Sequence, residues 1–300
     1  MSKKILVLGD GSWGSALAKI AALAGHDVAV WSRKYPDTRL LKSAEAVIIA
    51  VPAQAVRLVL TELPVPCEAS VIIAAKGIER GTGHFMHQVV RARAPENPAL
   101  ILSGPSFADD VLDGKPTAVT LGGPNIELAN TWAAALSLPH FRIYGSDDVL
   151  GVALGGAMKN VLAIACGISD GHKLGDSARA ALITRSFAEL TRFGQALGAR
   201  PETLMGLSGL GDLMLTCTSP QSRNYSAGHL IGSGVAAKDA IAATRGTVEG
   251  AYTAQVAVEL ARQNGIDMPI ISAVHAILDQ NSSPEDEINR LLARSLKSEI

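Results

Sequence analysis

The amino-acid sequence predicts an α/β protein in which a doubly wound sheet is followed by an all-helical second domain. Three observations carry this. Residues 5–8 form a short apolar run of the kind buried in parallel sheets, and they lead at once into Gly9-Asp10-Gly11-Ser12-Trp13-Gly14 and an Ala/Leu-rich stretch at 15–23. Up to residue 144, strand-like apolar runs alternate with helical ones. From Asp147 onward strand signals nearly vanish and long Ala/Leu/Gly segments take over. The change of texture falls at 145–148 and divides the chain into residues 1–146 and 147–300.

The first strand, turn and helix have the spacing G-x-G-x-x-G. Gly9 suits the tight turn, Gly11 lets a pyrophosphate approach the backbone, and Gly14 lets the helix pack on the strand. The free N–H groups of that helix start would face a di-anion. With a strand before and a helix after, this reads as a Rossmann-type dinucleotide-binding turn. A second strand is predicted at 27–31, followed by Ser32, Arg33 and Lys34. An NAD-specific site usually carries an acidic residue here, whereas two cations suit the ribose phosphate of NADP. A solvated basic turn is the plainer reading of the same residues.

Next come a strand at 44–51 closed by Pro52, a brief helix at 56–63, and a strand at 70–75 that ends in Lys76-Gly77. A lysine just past the carboxyl end of a sheet strand lies where α/β sheets bind ligands, although a surface lysine fits as well. A helix is predicted over 82–94 and a strand over 100–102, which runs into Ser103-Gly104-Pro105-Ser106-Phe107-Ala108. Those small residues permit close approach to a ligand, or simply end a strand. A strand at 116–122, a helix at 125–135 and a last strand at 141–144 complete the first half. Helices follow at 149–167, 177–197, 238–243, 253–264 and 271–279, and a final one runs from Ser283-Pro284 to residue 297.

Composition narrows the function. Lys and Arg number 27 against 28 Asp and Glu, so there is no global basic field for nucleic acid or an anionic membrane. Aromatic residues are 4%, too few to support base stacking. Mean hydropathy is positive, yet no uninterrupted run suggests a membrane span. The N-terminus leads straight into the first strand, with no cleavable leader pattern. A cytoplasmic enzyme is expected, with a small phosphorylated molecule as its partner and a homodimer as the one protein assembly considered. Cys67, Cys166 and Cys217 lack metal spacing and read as reduced core thiols.

Two clusters in the second half carry chemistry. In Gly155-Gly156-Ala157-Met158-Lys159-Asn160-Val161, two polar residues interrupt an apolar helix. Burying an unpaired ammonium costs several kcal/mol, so Lys159 either snorkels to solvent or faces a cleft with partners. In the cleft, desolvation would lower its pKa and suit it to proton exchange. The second cluster is Gly209-Leu210-Gly211-Asp212, then Thr216, then Ser222-Arg223-Asn224. Arginine offers a planar fork for phosphate oxygens, with Ser and Asn as added donors. Asp212 could orient a lysine or cap a helix. Further on, Gly246-Thr247-Val248-Glu249-Gly250 brackets a carboxylate that could cap a helix or touch a cofactor.

Together these segments resemble the bacterial type of the NAD(P)-dependent glycerol-3-phosphate dehydrogenase family. The carriers are Gly9 to Gly14, Lys76-Gly77-Ile78-Glu79, Gly104 to Ala108, Lys159-Asn160-Val161, Gly209 to Asp212, and Ser222-Arg223-Asn224, in this order along nearly the whole chain. The resemblance implies reversible hydride transfer between NAD(P)H and dihydroxyacetone phosphate, giving sn-glycerol 3-phosphate, the backbone of glycerophospholipids. It makes Lys159 the proton donor or acceptor, with Lys76 and Asp212 in the catalytic group. It assigns Lys76, Gly104, Ser106, Lys159, Asn160, Asp212, Thr216, Ser222, Arg223 and Asn224 to the substrate. Gly9, Gly11, Ser12, Trp13, Gly14, Arg33, Lys76, Ala108, Arg223, Thr247 and Glu249 fall along NADP or NAD, NADP being favoured. No metal is implied.

One departure stands out: the segment from Arg33 to Lys42 is much shorter than the family's, which normally adds a helix and a short strand there. Its loss bears on cofactor preference and strand count. Two other readings remain: a 3-hydroxyacid or ketopantoate-type reductase of the same architecture, and a nucleotide-sensing module without turnover. Ser222-Arg223-Asn224 weighs against the first, and the retained Lys76, Lys159 and Asp212 against the second.

Overall fold

The computed structural model describes residues 1–37, 41–66 and 68–295. Its first half is β1 (Lys4–Leu8), α1 (Ser12–Leu23), β2 (Asp27–Trp31), β3 (Ala46–Ile49), α2 (Val56–Glu62), β4 (Ser70–Ile73), α3 (Met86–Arg93), β5 (Ala99–Ser103), α4 (Ala108–Leu112), β6 (Thr117–Gly122), α5 (Ile126–Leu136) and β7 (Phe141–Ser146). The strands form one sheet in the order β2-β1-β3-β4-β5-β6-β7. Strands β1 to β5 are parallel, β6 turns antiparallel to β5, and β7 pairs parallel with β6.

Both faces of the sheet are covered, which is why its central strands read as continuous apolar runs. Ile5 and Val7 face a core built with Leu17 and Ile20 of α1 and Trp132 of α5. Leu6 and Leu8 face the opposite way, into a core shared with α2, α3 and the long helix that follows β7. The chain leaves β1 toward β2 on one side and returns to β3 on the other, so the β1–α1 turn opens at a topological switch point. Gly9 holds φ +117° there, and a Cβ on it would lie 2.8 Å from the Ala50 carbonyl oxygen. Both conditions demand glycine.

The second half is α6 (Val149–Gly171), α7 (Asp176–Leu197), α8 (Pro201–Met205), a π-helical turn at Leu207–Gly211, α9 (Asp212–Cys217), α10 (Arg223–Gly232), α11 (Ala237–Ala243), α12 (Glu249–Gln263), α13 (Pro269–Asp279) and α14 (Pro284–Leu292). Helix α6 is buried along nearly its whole length and packs on both the sheet and the surrounding helices. It crosses α10 with backbones touching. A Cβ on Gly167 would fall 2.1 Å from the Tyr225 carbonyl oxygen, and one on Gly228 2.2 Å from that of Ile164. This crossing fixes α10, and with it Ser222, Arg223 and Asn224, against the helix that carries Lys159.

Several expectations change. The helix expected over 82–94 begins only at Met86, because residues 78–85 form a loop closed by an Ile78–Phe85 bridge, with Gly81 and Gly83 at positive φ. The strands expected over 44–51 and 70–75 are shorter, and the helix expected to end at 167 continues to Gly171. Helices α4, α8, α9 and α10 are additions. Helix α12 starts four residues early, at Glu249, and α14 ends at Leu292, with residues 296–297 outside the described range. A helix long and apolar enough to cross a membrane does exist, contrary to the sequence reading. It is α6, 83% buried over its most apolar window, and its apolar residues are spent on the core. Cys166 and Cys217 are buried and unbridged, as expected, while Cys67 lies outside the described residues.

Candidate active site

Lys159 does not snorkel. Its helix is surrounded by protein, and the side chain, 10% exposed, ends on the Asp212 carboxylate: Nζ donates to Oδ1 at 2.5 Å and to Thr216 Oγ1 at 3.0 Å. Thr216 in turn donates to the Asp212 carbonyl oxygen at 2.6 Å, one helical turn back, so its lone pairs are aimed at the ammonium. Lys76, three residues past the end of β4 and after Ala74-Ala75, donates to the other Asp212 oxygen, Oδ2, at 2.6 Å and to the Gly104 carbonyl oxygen at 3.3 Å. One buried carboxylate thus binds two ammoniums brought from β4 and α6. Asp212 opens α9 but does not cap it, since no side-chain cap bond is made there.

The electrostatics follow from this crowding. Burial pushes the Lys159 ammonium down; Asp212 pulls it back up and Lys76 pushes it down again, leaving it at about 8. Burial alone would raise Asp212, but the two lysines overcome it and hold the carboxyl below its usual value. The result is an ammonium poised to give or take a proton near neutral pH beside a carboxylate that its two lysines keep ionised there.

The other candidate residues form a second set of hydrogen bonds, tied to this centre along the chain where Asn160 follows Lys159. Asn160, next to Lys159, accepts from Asn224 Nδ2 at 2.9 Å, and Asn224 Oδ1 accepts from the Gly250 N–H at 2.9 Å. Ser222 caps α10, its hydroxyl accepting from the Tyr225 N–H at 3.2 Å. Arg223 follows it, exposed, with its guanidinium over the Gly246 turn, where a Cβ would come within 2.5 Å of Nη1. No direct contact joins Arg223 to Lys159; the Asn160–Asn224 pair links their neighbours. Glu249 sits at the start of α12 with Thr247 two residues before it. Its Oε1 accepts from the Ala53 N–H at 3.1 Å, while Oε2 is buried without a partner. Burial raises its pKa against the opposing effects of that N–H and of Arg223. Ser106 donates to the Gly104 carbonyl oxygen at 3.0 Å, and Ala108 opens α4.

A dinucleotide fits the β1–α1 turn. Gly11 is the N-cap of α1, no side chain caps that helix, and its first turn has no acidic residue. A Cβ on Gly11 would meet nothing within 4 Å, so there is open space beside the uncapped helix start, as a pyrophosphate requires. The Trp13 indole N–H, in the first turn beside Ser12, is buried with no partner. Arg33 is exposed at the turn after β2, where Ser32 Oγ accepts from the Tyr35 N–H at 3.1 Å and Lys34 lies 5.0 Å from the Tyr35 ring centroid. Sequence reasoning missed Ser103 as a site residue. Its buried hydroxyl has no partner, and a Cβ on Gly156 would come within 2.5 Å of it and 3.5 Å of Lys76 Cδ. A hydroxyl at a strand end beside a candidate lysine was the available signal.

Comparison with known proteins fits this geometry. The family described as "NAD-dependent glycerol-3-phosphate dehydrogenase" matches by its N-terminal model at residues 4–41 and 36–129 and by its C-terminal model at 148–289. The chain belongs to that family. A relative in Methylobacterium radiotolerans, named glycerol-3-phosphate dehydrogenase [NAD(P)+], is 49% identical over 98% of both chains. A relative of the same name in Brucella ovis is 46% identical over the full length of both, in an alignment 330 positions long. The glycerol-3-phosphate dehydrogenase structure from Coxiella burnetii superposes with a TM-score of 0.91 at 37% identity, covering 98% of this chain and 99% of that one. A 2-dehydropantoate 2-reductase from Methylococcus capsulatus shares the fold at a TM-score of 0.60 and 16% identity. The two N-terminal matches overlap at residues 36–41, inside the segment from Arg33 to Lys42, of which residues 38–40 lie outside the described range.

Proposed function

We propose that this protein is a glycerol-3-phosphate dehydrogenase using NAD(P), an oxidoreductase that interconverts dihydroxyacetone phosphate and sn-glycerol 3-phosphate and so supplies the latter for glycerophospholipid synthesis. The observation that carries the reading is the Lys76–Asp212–Lys159 centre, with Asn160 beside Lys159 bonded to Asn224, the residue that follows Arg223. When bound, the nicotinamide supplies the hydride. Lys159 gives its proton to the oxygen that becomes the C2 hydroxyl, and a pKa of about 8 suits it to do so and to take the proton back in the reverse direction. Asp212 and Thr216 fix the direction of the Lys159 ammonium. Lys76 places a second positive charge beside the same developing alkoxide. Arg223, with Ser222 and Asn224, holds the phosphate.

The division into a cofactor-binding part, 1–146, and a substrate part, 147–300, is supported by where β7 gives way to α6 and by the separate family models for the two ends. Arg33 with Lys34 favours NADP as the better cofactor. A ketopantoate-type reductase of the same fold is the rival reading, and its carboxylate substrate separates the two. The test is NADPH oxidation followed by absorbance, with dihydroxyacetone phosphate and ketopantoate offered in turn. Turnover is expected with the triose phosphate alone and is lost in Lys159→Ala, while NADPH still binds. Equal activity in variant and parent, or turnover of ketopantoate only, overturns the assignment.

A further inference from the structure

We propose that Glu79, clamped by Arg57, is a positioning residue that delivers the Lys76 ammonium to Asp212. The inference rests on the reading of Lys76, Asp212 and Lys159 as the catalytic centre. Neither Glu79 nor Arg57 touches that centre; both act through the backbone that follows Lys76.

The chain leaves Lys76 through Gly77 and Ile78 into the loop 78–85, which has no regular structure of its own to hold it. Three sets of bonds do so instead. Within the loop, the Glu79 N–H donates to the His84 carbonyl oxygen at 2.9 Å and the Gly83 N–H to that of Glu79 at 3.0 Å. From α2, Arg57 makes a two-pronged contact, Nε to Glu79 Oε1 and Nη2 to Oε2, both at 2.7 Å, and Thr82 Oγ1 adds a third bond at 2.5 Å. From the turn before α2, Gln54 donates to the Ile78 carbonyl oxygen at 2.8 Å and accepts from the Arg80 N–H at 3.0 Å. Glu79 is 8% exposed, so its carboxylate is an internal anchor; its bonds to Arg57, opposed by burial, hold it below the usual carboxylate range. A bidentate guanidinium–carboxylate pair fixes orientation as well as distance.

The loop also spans the two halves of the molecule. Arg80 stacks over the Tyr252 ring at 5.6 Å and reaches Gln255 on α12. A Cβ on Gly77 would lie 2.8 Å from the Ala53 Cβ and 3.6 Å from Glu249 Oε2. Lys76 therefore sits on a segment gripped from both sides, and loosening the grip frees its ammonium to leave Asp212. Because Lys76 pushes the Lys159 pKa down, its departure has a signature: Lys159 keeps Asp212 to itself and titrates at higher pH.

The test compares the full-length parent with Glu79→Gln and Arg57→Lys in steady-state kinetics across pH 6–10. A parent active on dihydroxyacetone phosphate, with turnover lost in Lys159→Ala, establishes the underlying reading separately. Glu79→Gln is then expected to lower kcat at least fivefold, to leave the Kd for NADPH within twofold, and to move the basic limb of the reductive pH profile upward. Arg57→Lys keeps the charge but loses the fork, at a side chain one-third exposed, and is expected to show the same changes in smaller degree. Folded variants with parental kcat and an unmoved limb overturn the proposal. A fall in melting temperature with no shift of the limb also overturns it, since that is the result of a merely structural bond. If Glu79→Gln fails to fold, Arg57→Lys decides by the same criteria.

Discussion

Replacing Asp212 by Asn probes the centre most severely. The carboxylate holds Lys159 at 2.5 Å and Lys76 at 2.6 Å, and its side chain is 1% exposed. A unit charge pair about 4 Å apart is worth roughly 4 kcal/mol at an effective dielectric near 20, and breaking a buried pair by removing one partner typically costs about 3–5 kcal/mol. Here the loss leaves two ammoniums beside one another, so the upper part of that range is expected. For a chain of this size it corresponds to a fall in Tm on the order of 10 °C. The kinetic sign is also fixed. Asp212 raises the Lys159 pKa, so its removal lets Lys159 lose its proton at a lower pH than the parent's value of about 8. The reductive rate, which needs the ammonium, then begins to fall on the acid side of the parental limb. Thermal melts together with kcat measured from pH 5.5 to 9 check both effects. A parental Tm, or a limb at or above the parental pH, would mean that Asp212 does not hold the two ammoniums.

Three further outcomes follow from the same structure. Arg223→Ala is expected to raise KM for the phosphate substrate roughly 30-fold, from the loss of a charge-assisted contact worth about 2 kcal/mol, with a much smaller change in kcat; an unchanged KM in steady-state kinetics removes the clamp. Arg33→Ala is expected to raise KM for NADPH more than for NADH, since the lost charge is needed only for the ribose phosphate; equal changes contradict the NADP preference. Glu189 accepts the Ile270 and Ile271 N–H groups at the start of α13, and burial pushes its carboxyl up to about 7 against those bonds. A raised folded-state pKa contributes stability that is complete below the unfolded value of 4.5 and is lost as pH rises toward 7. Melts of Glu189→Gln between pH 5 and 8 are expected to show a flatter profile than the parent, and an identical slope contradicts the assignment.

Much of this was legible in the residues. The β1–α1 turn announces itself because a buried parallel strand, a tight turn and a helix each leave their own pattern at adjacent positions. Lys159 was legible because an ammonium inside an apolar helix requires a partner, and Asp212 supplies it. Other features were hidden for physical reasons. The antiparallel turn of β6 leaves no mark, since strand periodicity does not encode direction. Helix α10 was obscured because Gly228 and Gly232 read as breakers, whereas tertiary contact with α6 requires them. Residues 82–85 of the loop read as helix because Thr82 and the residues after it pass as a helix start. The Arg57–Glu79 fork that holds it in another form is 22 residues apart in sequence. The relation of Arg223 to Glu249 likewise depends on the turn at Gly246, which sequence spacing alone does not place.

In the proposed reaction a hydride reaches C2 of a triose phosphate and Lys159 gives its proton to the C2 oxygen. The most direct measurement uses NADPH dideuterated at C4 of the nicotinamide, with dihydroxyacetone phosphate as acceptor and the product analysed by mass spectrometry and NMR. One deuterium, carried at C2 of sn-glycerol 3-phosphate, is expected with the parent and no labelled product with Lys159→Ala. Cofactor oxidation without deuterium at C2, or labelled product formed at the parental rate by the variant, would contradict that reaction.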